Sequence, residues 1–398
     1  MKLPGSIIFA AVFAVIRTAS VWGAEWQTEW ERTVEEAKKE GTVVFATAAD
    51  AELRRQLEPV LKRRFGIALE YAPGRAVEQS AKIIQESKAG VRSYDVFAFG
   101  GCGGMSLIQQ NILEPLEPML ILPEVKDPKN WWGGLIWADN VNGNKYYYSF
   151  TANSGSANRW YNSDLYNGSE FHSYDDLLNP KMKGRIGFLD PRYPGAGQGS
   201  WSFLWSTKGE DFLVKLGKQD PFVMANARQL AEALAKGKIA ICIGCSRHNV
   251  TPFIKAGLPL KLLPIAKEGD EATGGYAVGV LKNPPHPNAA KVFVNWLLSK
   301  EGQELWGQAM LDASRRMDVD TKWLAKHDVV AAKDDLTVAE YHKFRNHLED
   351  YCVKVRGPAT ELAKKILLDK TLARCEETLT LALSHLWARE TSWRQVVF

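Results

Sequence analysis

Apolar residues repeat at helical spacing in residues 26–39 (WQTEWERTVEEAKK), and that pattern stops at Glu40-Gly41. Residues 42–46 (TVVFA) then form a short apolar run between a glycine and a small-residue turn, which predicts a buried strand. Asp50 is placed to cap a helix over 51–64, where Leu53, Leu57, Val60, Leu61 and Phe65 share one face. The pattern continues with a strand over 67–71, a helix over 76–87 and a strand over 94–99, closed by a glycine-rich turn at 100–104. Strand, helix, strand, helix, strand predicts a parallel sheet covered by helices.

Residues 112–134 hold four prolines and a Trp131-Trp132-Gly133-Gly134 turn, so they read mostly as loop. A second α/β unit starts near Tyr161. It has a strand over 184–189, helices over about 199–216 and 225–235, and a strand over 238–243. A strand-like run over 274–281 leads through Pro284, Pro285 and Pro287 into a helix over 289–298. Charge-dense helices are expected after residue 320, over 338–355 and 360–387. The expected division is a first lobe from 25–150 with 270–320, a second from 151–269, and a helical extension from 321–398.

The first 24 residues change the expected compartment. Lys2 precedes the apolar run 7–16 (IIFAAVFAVI), and small residues at Gly23 and Ala24 offer a cleavage site before Glu25. Ten apolar residues span about half of a bilayer core, so an export signal fits and a membrane span does not. No cysteine stands at that site to carry a lipid. A formal charge of +4 over 398 residues, with no basic run among aromatics, gives no footprint for nucleic acid. Five cysteines (Cys102, Cys242, Cys245, Cys352 and Cys375) are few for an exported chain of this length, so the core is expected to carry the fold. Cys352 and Cys375 share the tail, and spacing alone leaves their pairing open.

Several stretches together resemble the iron(III)/spermidine-putrescine-type extracellular solute-binding proteins of ABC transporters. They are Glu40-Gly41-Thr42-Val43-Val44-Phe45, Tyr161-Asn162-Ser163-Asp164-Leu165, the run 173–187 (SYDDLLNPKMKGRIG), and 282–303, which ends in Ser299-Lys300-Glu301-Gly302-Gln303. The likeness covers roughly residues 30–310. It implies an α/β fold of the two-lobed type II periplasmic-binding kind, here with a helical C-terminal extension. It also implies a small solute held in a cleft, a membrane permease as partner, no cofactor, no catalysis, and a periplasmic monomer.

Open parallel sheets bind ligands at the carboxyl ends of their strands, which selects the candidate contacts. Thr47 and Asp50 follow the first strand, where free backbone N–H groups can hold an anion. Gly101 and Cys102 lie in a turn that lets a ligand approach the backbone, and the turn lacks the residues of a nucleotide loop. Tyr148 belongs to the run Tyr146-Tyr147-Tyr148, one face of which must be core. Arg192, Tyr193, Gly199, Ser200 and Trp201 follow the 184–189 strand; Arg192 offers a fixed cation to a carboxylate or phosphate, or pairs with Asp190. Ser246 and Arg247 close the 238–243 strand, and Tyr276 returns the chain to the first lobe.

Two other functions compete. In ferric members of the resembling family, two adjacent tyrosines stand where this chain has Ser246-Arg247-His248, and a guanidinium repels a metal cation. A metal site would instead need Tyr146 to Tyr148 and His248. The second rival is an exported enzyme or thiol oxidoreductase using Cys242 and Cys245, a lone pair with no second ligand pair at zinc spacing. A docking role for the tail, as a sensor or adaptor, is a further reading.

Overall fold

The computed structural model describes residues 25–100, 102–155, 158–269, 275–343 and 348–367. The expected export signal, Gly101, and Cys375 with the rest of the tail lie outside them.

In chain order the elements are α1 (25–40), β1 (Thr42–Thr47), α2 (Ala51–Phe65), β2 (Ala68–Pro73), α3 (Ala76–Lys88), β3 (Val96–Gly100), α4 (Met105–Gln109), β4 (Leu113–Glu114) and α5 (Pro123–Lys126). There follow β5 (Tyr148–Ser149), β6 (Arg159–Asn162), β7 (Ile186–Leu189), α6 (Ala196–Lys208), α7 (Glu210–Lys218), β8 (Phe222–Met224), α8 (Ala227–Ala235) and β9 (Ile241–Ile243). The last are α9 (Arg247–Lys255), β10 (Leu260–Leu262), β11 (Tyr276–Leu281), α10 (Pro287–Leu298) and α11 (Lys300–Met310), before the short helices of the tail. The helix expected over 199–216 is two helices. Gly209, at φ 80°, breaks the chain between α6 and α7 in a conformation that side chains disfavour.

Packing divides the chain into two units. The first takes residues up to 157, 246–252 and 269–353; the second takes 158–245, 253–268 and 354 onward. Three boundaries differ from the sequence expectation. Residues 151–157 and 246–252 join the first unit, and the tail is no separate body, because its described residues are shared between the two units.

The first unit holds a sheet in the order β2-β1-β3-β11-β4, with β5 also on β11. β1 runs parallel to β2 and β3, as the alternation of elements predicts, while β11 runs antiparallel to β3. Its core joins Phe45, Leu57, Phe65, Phe293 and Trp296. Two of the sequence stretches that carry the family resemblance, 40–45 and 282–303, meet here. Glu40 accepts hydrogen bonds from the Asn288 and Ala289 backbone N–H groups at 3.1 and 2.7 Å, capping the start of α10. Asn295 accepts from the Ile121 and Leu122 backbone, fixing the loop before α5. Ser299 caps α11, and a side chain at Gly302 would overlap the Trp296 and Leu297 carbonyls. These residues secure the scaffold.

The second unit holds a sheet in the order β10-β6-β9-β7-β8, with β7 parallel to β8 and β9 and with β6 antiparallel to β9. Ser173 and Asp176 form a capping box, and Ser173 also donates to Glu268 at 2.6 Å. Lys208 completes this cluster at 3.0 Å from Glu268 and 2.8 Å from Asp175.

The structure answers the pairing that spacing left open. Cys352 is bonded to Cys102, not Cys375, and Cys242 is bonded to Cys245. The core is therefore supplemented by two disulfides. Cys242 and Cys245 are both fully buried, which removes the accessible thiol pair that an oxidoreductase needs.

Candidate functional site

In the first unit, polar groups gather where β1, β2 and β3 end. Asp50 leaves β1 and caps α2, its carboxylate accepting the Leu53 N–H at 2.8 Å. Tyr71, near the end of β2, donates to the Ala48 carbonyl at 2.5 Å, and burial raises its phenol pKa. Tyr276 begins β11 opposite Gly100, at the end of β3. Its backbone N–H donates to the Thr151 hydroxyl at 2.7 Å, and its ring packs edge-on against Trp306. Burial raises the Tyr276 pKa, and the electrostatic neighbours Asp312, Tyr71 and Asp50 raise it further. His248 is exposed and lies within electrostatic reach of Asp50, whose charge favours the protonated ring, while desolvation acts in the opposite sense and lowers its pKa.

The first unit therefore assembles Asp50, Tyr71, His248 and Tyr276 around one polar patch. It can offer a carboxylate, two phenols and an imidazole to a solute. Arg247, beside His248, adds a cation. Its guanidinium is mostly buried, which lowers its pKa, and it reaches the Asp328 carboxylate at 3.4 Å.

Several expected contacts in this unit are placed otherwise. The Thr47 hydroxyl is fully buried and donates to the Ala98 carbonyl, tying β1 to β3. Tyr148 is 1% exposed, packed edge-on against Trp131 and Trp137 with Arg315 over its ring, so it belongs to the core. Tyr147 is buried too, exchanging hydrogen bonds with the Phe99 backbone. Burial pushes both phenols upward, which opposes phenolate formation on a metal. Cys102 is half-buried and held in its disulfide. Gly101 lies outside the described residues.

In the second unit, the ends of β7 and β9 meet the start of α6. Gly244 has φ 93°, and a side chain there would come within 2.7 Å of Leu189 and 3.0 Å of the Gly197 backbone. The 190–201 and 244–245 loops are thus neighbours, as the strand-end argument expects. Their side chains behave differently from expectation. Arg192 is clamped by Asp190 through contacts of 2.7 to 3.1 Å, so the salt-bridge alternative describes it. Gly199, Ser200 and Trp201 are buried inside α6; the Trp201 indole donates to the Ala359 carbonyl at 3.0 Å. Ser246, which belongs to the first unit, is half-buried, and its carbonyl accepts the Asn249 N–H in the first turn of α9. Tyr193 is 48% exposed and open to contact.

The sequence argument did not select Tyr71, and it named His248 only for a metal site. The strand-end rule that selected Thr47 would equally select Tyr71, one strand over. No local motif marks His248, because its place depends on residues 246–252 joining the first unit.

Comparison with known proteins agrees with this architecture. A protein of Haemophilus influenzae with no assigned role is 33% identical over 141 residues, covering 34% of this chain and 40% of that protein. A putative 2-aminoethylphosphonate-binding periplasmic protein of Salmonella typhimurium is 24% identical over 194 residues, covering 43% of this chain and 58% of the relative. The chain thus spans about half the length of these curated relatives. The periplasmic binding protein AfuA of Actinobacillus pleuropneumoniae, solved with fructose-6-phosphate, superposes with a TM-score of 0.61 at 18% identity, over 81% of this chain and 99% of that one. Iron-bound HitA of Pseudomonas aeruginosa gives 0.60 at 19% identity, over 82% and 99%. At such identity these two matches speak for the fold. The model of the bacterial extracellular solute-binding proteins matches residues 51–304, more than half of the chain, and the chain belongs to that family.

Proposed function

We propose that this chain is the periplasmic solute-capturing subunit of an ABC importer. Residues 1–24 direct its export, and the mature monomer delivers a small polar or anionic solute to a membrane permease. The family match over residues 51–304 is the observation that carries this reading. The polar patch of Asp50, Tyr71, His248 and Tyr276, with Arg247 beside it, supports it. So does the chemistry named for its relatives, an aminophosphonate and a sugar phosphate. The protein makes and breaks no bond; solute binding stabilises one conformation over another.

Native mass spectrometry of the protein purified from its own periplasm tests the reading, with a carried small molecule as the expected result. A thermal-shift screen of organic acids, phosphonates, sugar phosphates and polyamines should give stabilisation by at least one class. No carried molecule and no shift would remove the transport reading.

The likeness to iron-bound HitA favours ferric iron as a second reading. The burial of Tyr147 and Tyr148 stands against it. Titration with a ferric salt, watching for a phenolate charge-transfer band, decides: a band restores the reading and its absence ends it.

A further inference from the structure

The tail beyond residue 320 is built onto the segments that carry the candidate contacts. In the first unit, the Ser154 N–H donates to the Val330 carbonyl at 2.9 Å and the Ala332 N–H to the Ala152 carbonyl at 3.0 Å. Asn153 and Ala331 form a bridge between these bonds. Ala331, Ala332, Tyr341 and Leu348 are buried, and Tyr341 packs on Trp132 at 5.1 Å. Cys352 is bonded covalently to Cys102, just beyond β3. The second unit shows the same habit at the start of α6, where Gln198 donates to Thr360 at 2.9 Å. A segment anchored in this way holds its side chains in place.

Asp328 is the residue this anchoring delivers to the site. It closes the 3-10 turn Lys322–His327 in a left-handed conformation, two residues before the Ser154–Val330 bond. The Asp328 side chain is 67% exposed, whereas that of Arg247 is 10% exposed. Their separation of 3.4 Å is long for a charge-assisted bond, which runs at about 2.7–2.9 Å. A carboxylate that is mostly hydrated and loosely held is replaceable by an anion that meets the buried guanidinium more closely.

We propose that Asp328 is a built-in counter-ion for Arg247, which an anionic group of the solute displaces. The extension thereby sets affinity and selectivity for anions, acting through Arg247. This rests on the reading of residues 246–248 as facing the solute. Asp328 is a positioning and charge-tuning residue; Arg247 is the contact.

Calorimetric titration of the full mature chain tests the proposal, with 2-aminoethylphosphonate, fructose 6-phosphate and inorganic phosphate as probes and uncharged fructose as control. Asp328→Asn should tighten at least one anionic probe by about two- to fivefold, the range an exposed ion pair is worth, and leave fructose unaffected. Arg247→Met should weaken the same probe by about tenfold or more. In the double variant Asp328→Asn should have no further effect, because its action needs the guanidinium. If Asp328→Asn changes no affinity while Arg247→Met does, the counter-ion role falls and the site stands. If Arg247→Met changes nothing, or neither wild type nor Asp328→Asn binds any of the three anions, both fall. A gain that persists without Arg247, or that extends to fructose, likewise overturns the proposal.

Discussion

Thr151 donates its hydroxyl to the buried carboxylate of Asp312 at 2.6 Å while accepting the backbone N–H of Tyr276 at 2.7 Å. Asn153 supplies a second donor to Asp312 at 2.7 Å. Burial still dominates, raising the Asp312 pKa to about 6. Its folded-state value lies above its unfolded one, so the native state binds the proton more tightly. Stability is then highest below about pH 4, falls as pH rises through about 6, and is level above that. A two-unit shift corresponds to about 3 kcal/mol as an upper figure. Thermal unfolding between pH 4 and 7 should show this slope, and Asp312→Asn should flatten it. An unchanged slope would mean that Asp312 titrates normally.

Glu268 behaves in the opposite sense. Burial raises its pKa, but the Ser173 hydroxyl and the Lys208 ammonium outweigh burial and hold it at about 2. Its stabilisation is present above about pH 4.5 and lost as pH falls through about 2. Glu268→Gln should therefore cost roughly 2–3 kcal/mol at pH 7 and much less near pH 2. Urea unfolding at the two pH values measures the difference; equal costs at both would assign Glu268 a purely steric role.

The first unit's parallel strands were legible because their apolar runs, bounding glycines and the Asp50 cap lie in adjacent residues. β6, β8 and β10 were not. They are three or four residues long, and their partners lie up to about a hundred residues away along the chain. Arg315 and Arg316 mark a second limit. Both are almost fully buried, Arg315 donating to the Ser149, Trp132 and Gly134 carbonyls and Arg316 pairing with Asp318 and Glu124. Composition alone sends such residues to the surface. At the site, Asp50 and Tyr276 were readable from strand ends, whereas the burial of Tyr148 and Trp201 was set by tail and loop packing that no local pattern encodes.

The disulfides give a covalent prediction. Non-reducing peptide mapping should recover Cys102 joined to Cys352 and Cys242 joined to Cys245, with Cys375 as the remaining thiol. A Cys352–Cys375 peptide would contradict the structure. Cys102→Ser with Cys352→Ser should lower stability by about 2–5 kcal/mol, since a link between residues 250 apart in sequence restricts the unfolded chain strongly.

Gly275 decides whether Tyr276 can serve a solute at all. It sits at φ 61°, and a side chain there would overlap both the carbonyl and the hydroxyl oxygen of Thr151. Gly275→Ala must therefore pay backbone strain of about 1–2 kcal/mol and also push Thr151 away, loosening the bond that seats Tyr276. The expected result is a less stable protein whose affinity for its solute falls further than in Tyr276→Phe. The Phe variant loses a hydroxyl, whereas the Ala variant moves the whole ring. Binding measured on both variants separates the cases. Should Gly275→Ala bind as wild type does while Tyr276→Phe is impaired, the Thr151 anchor is not what positions the phenol.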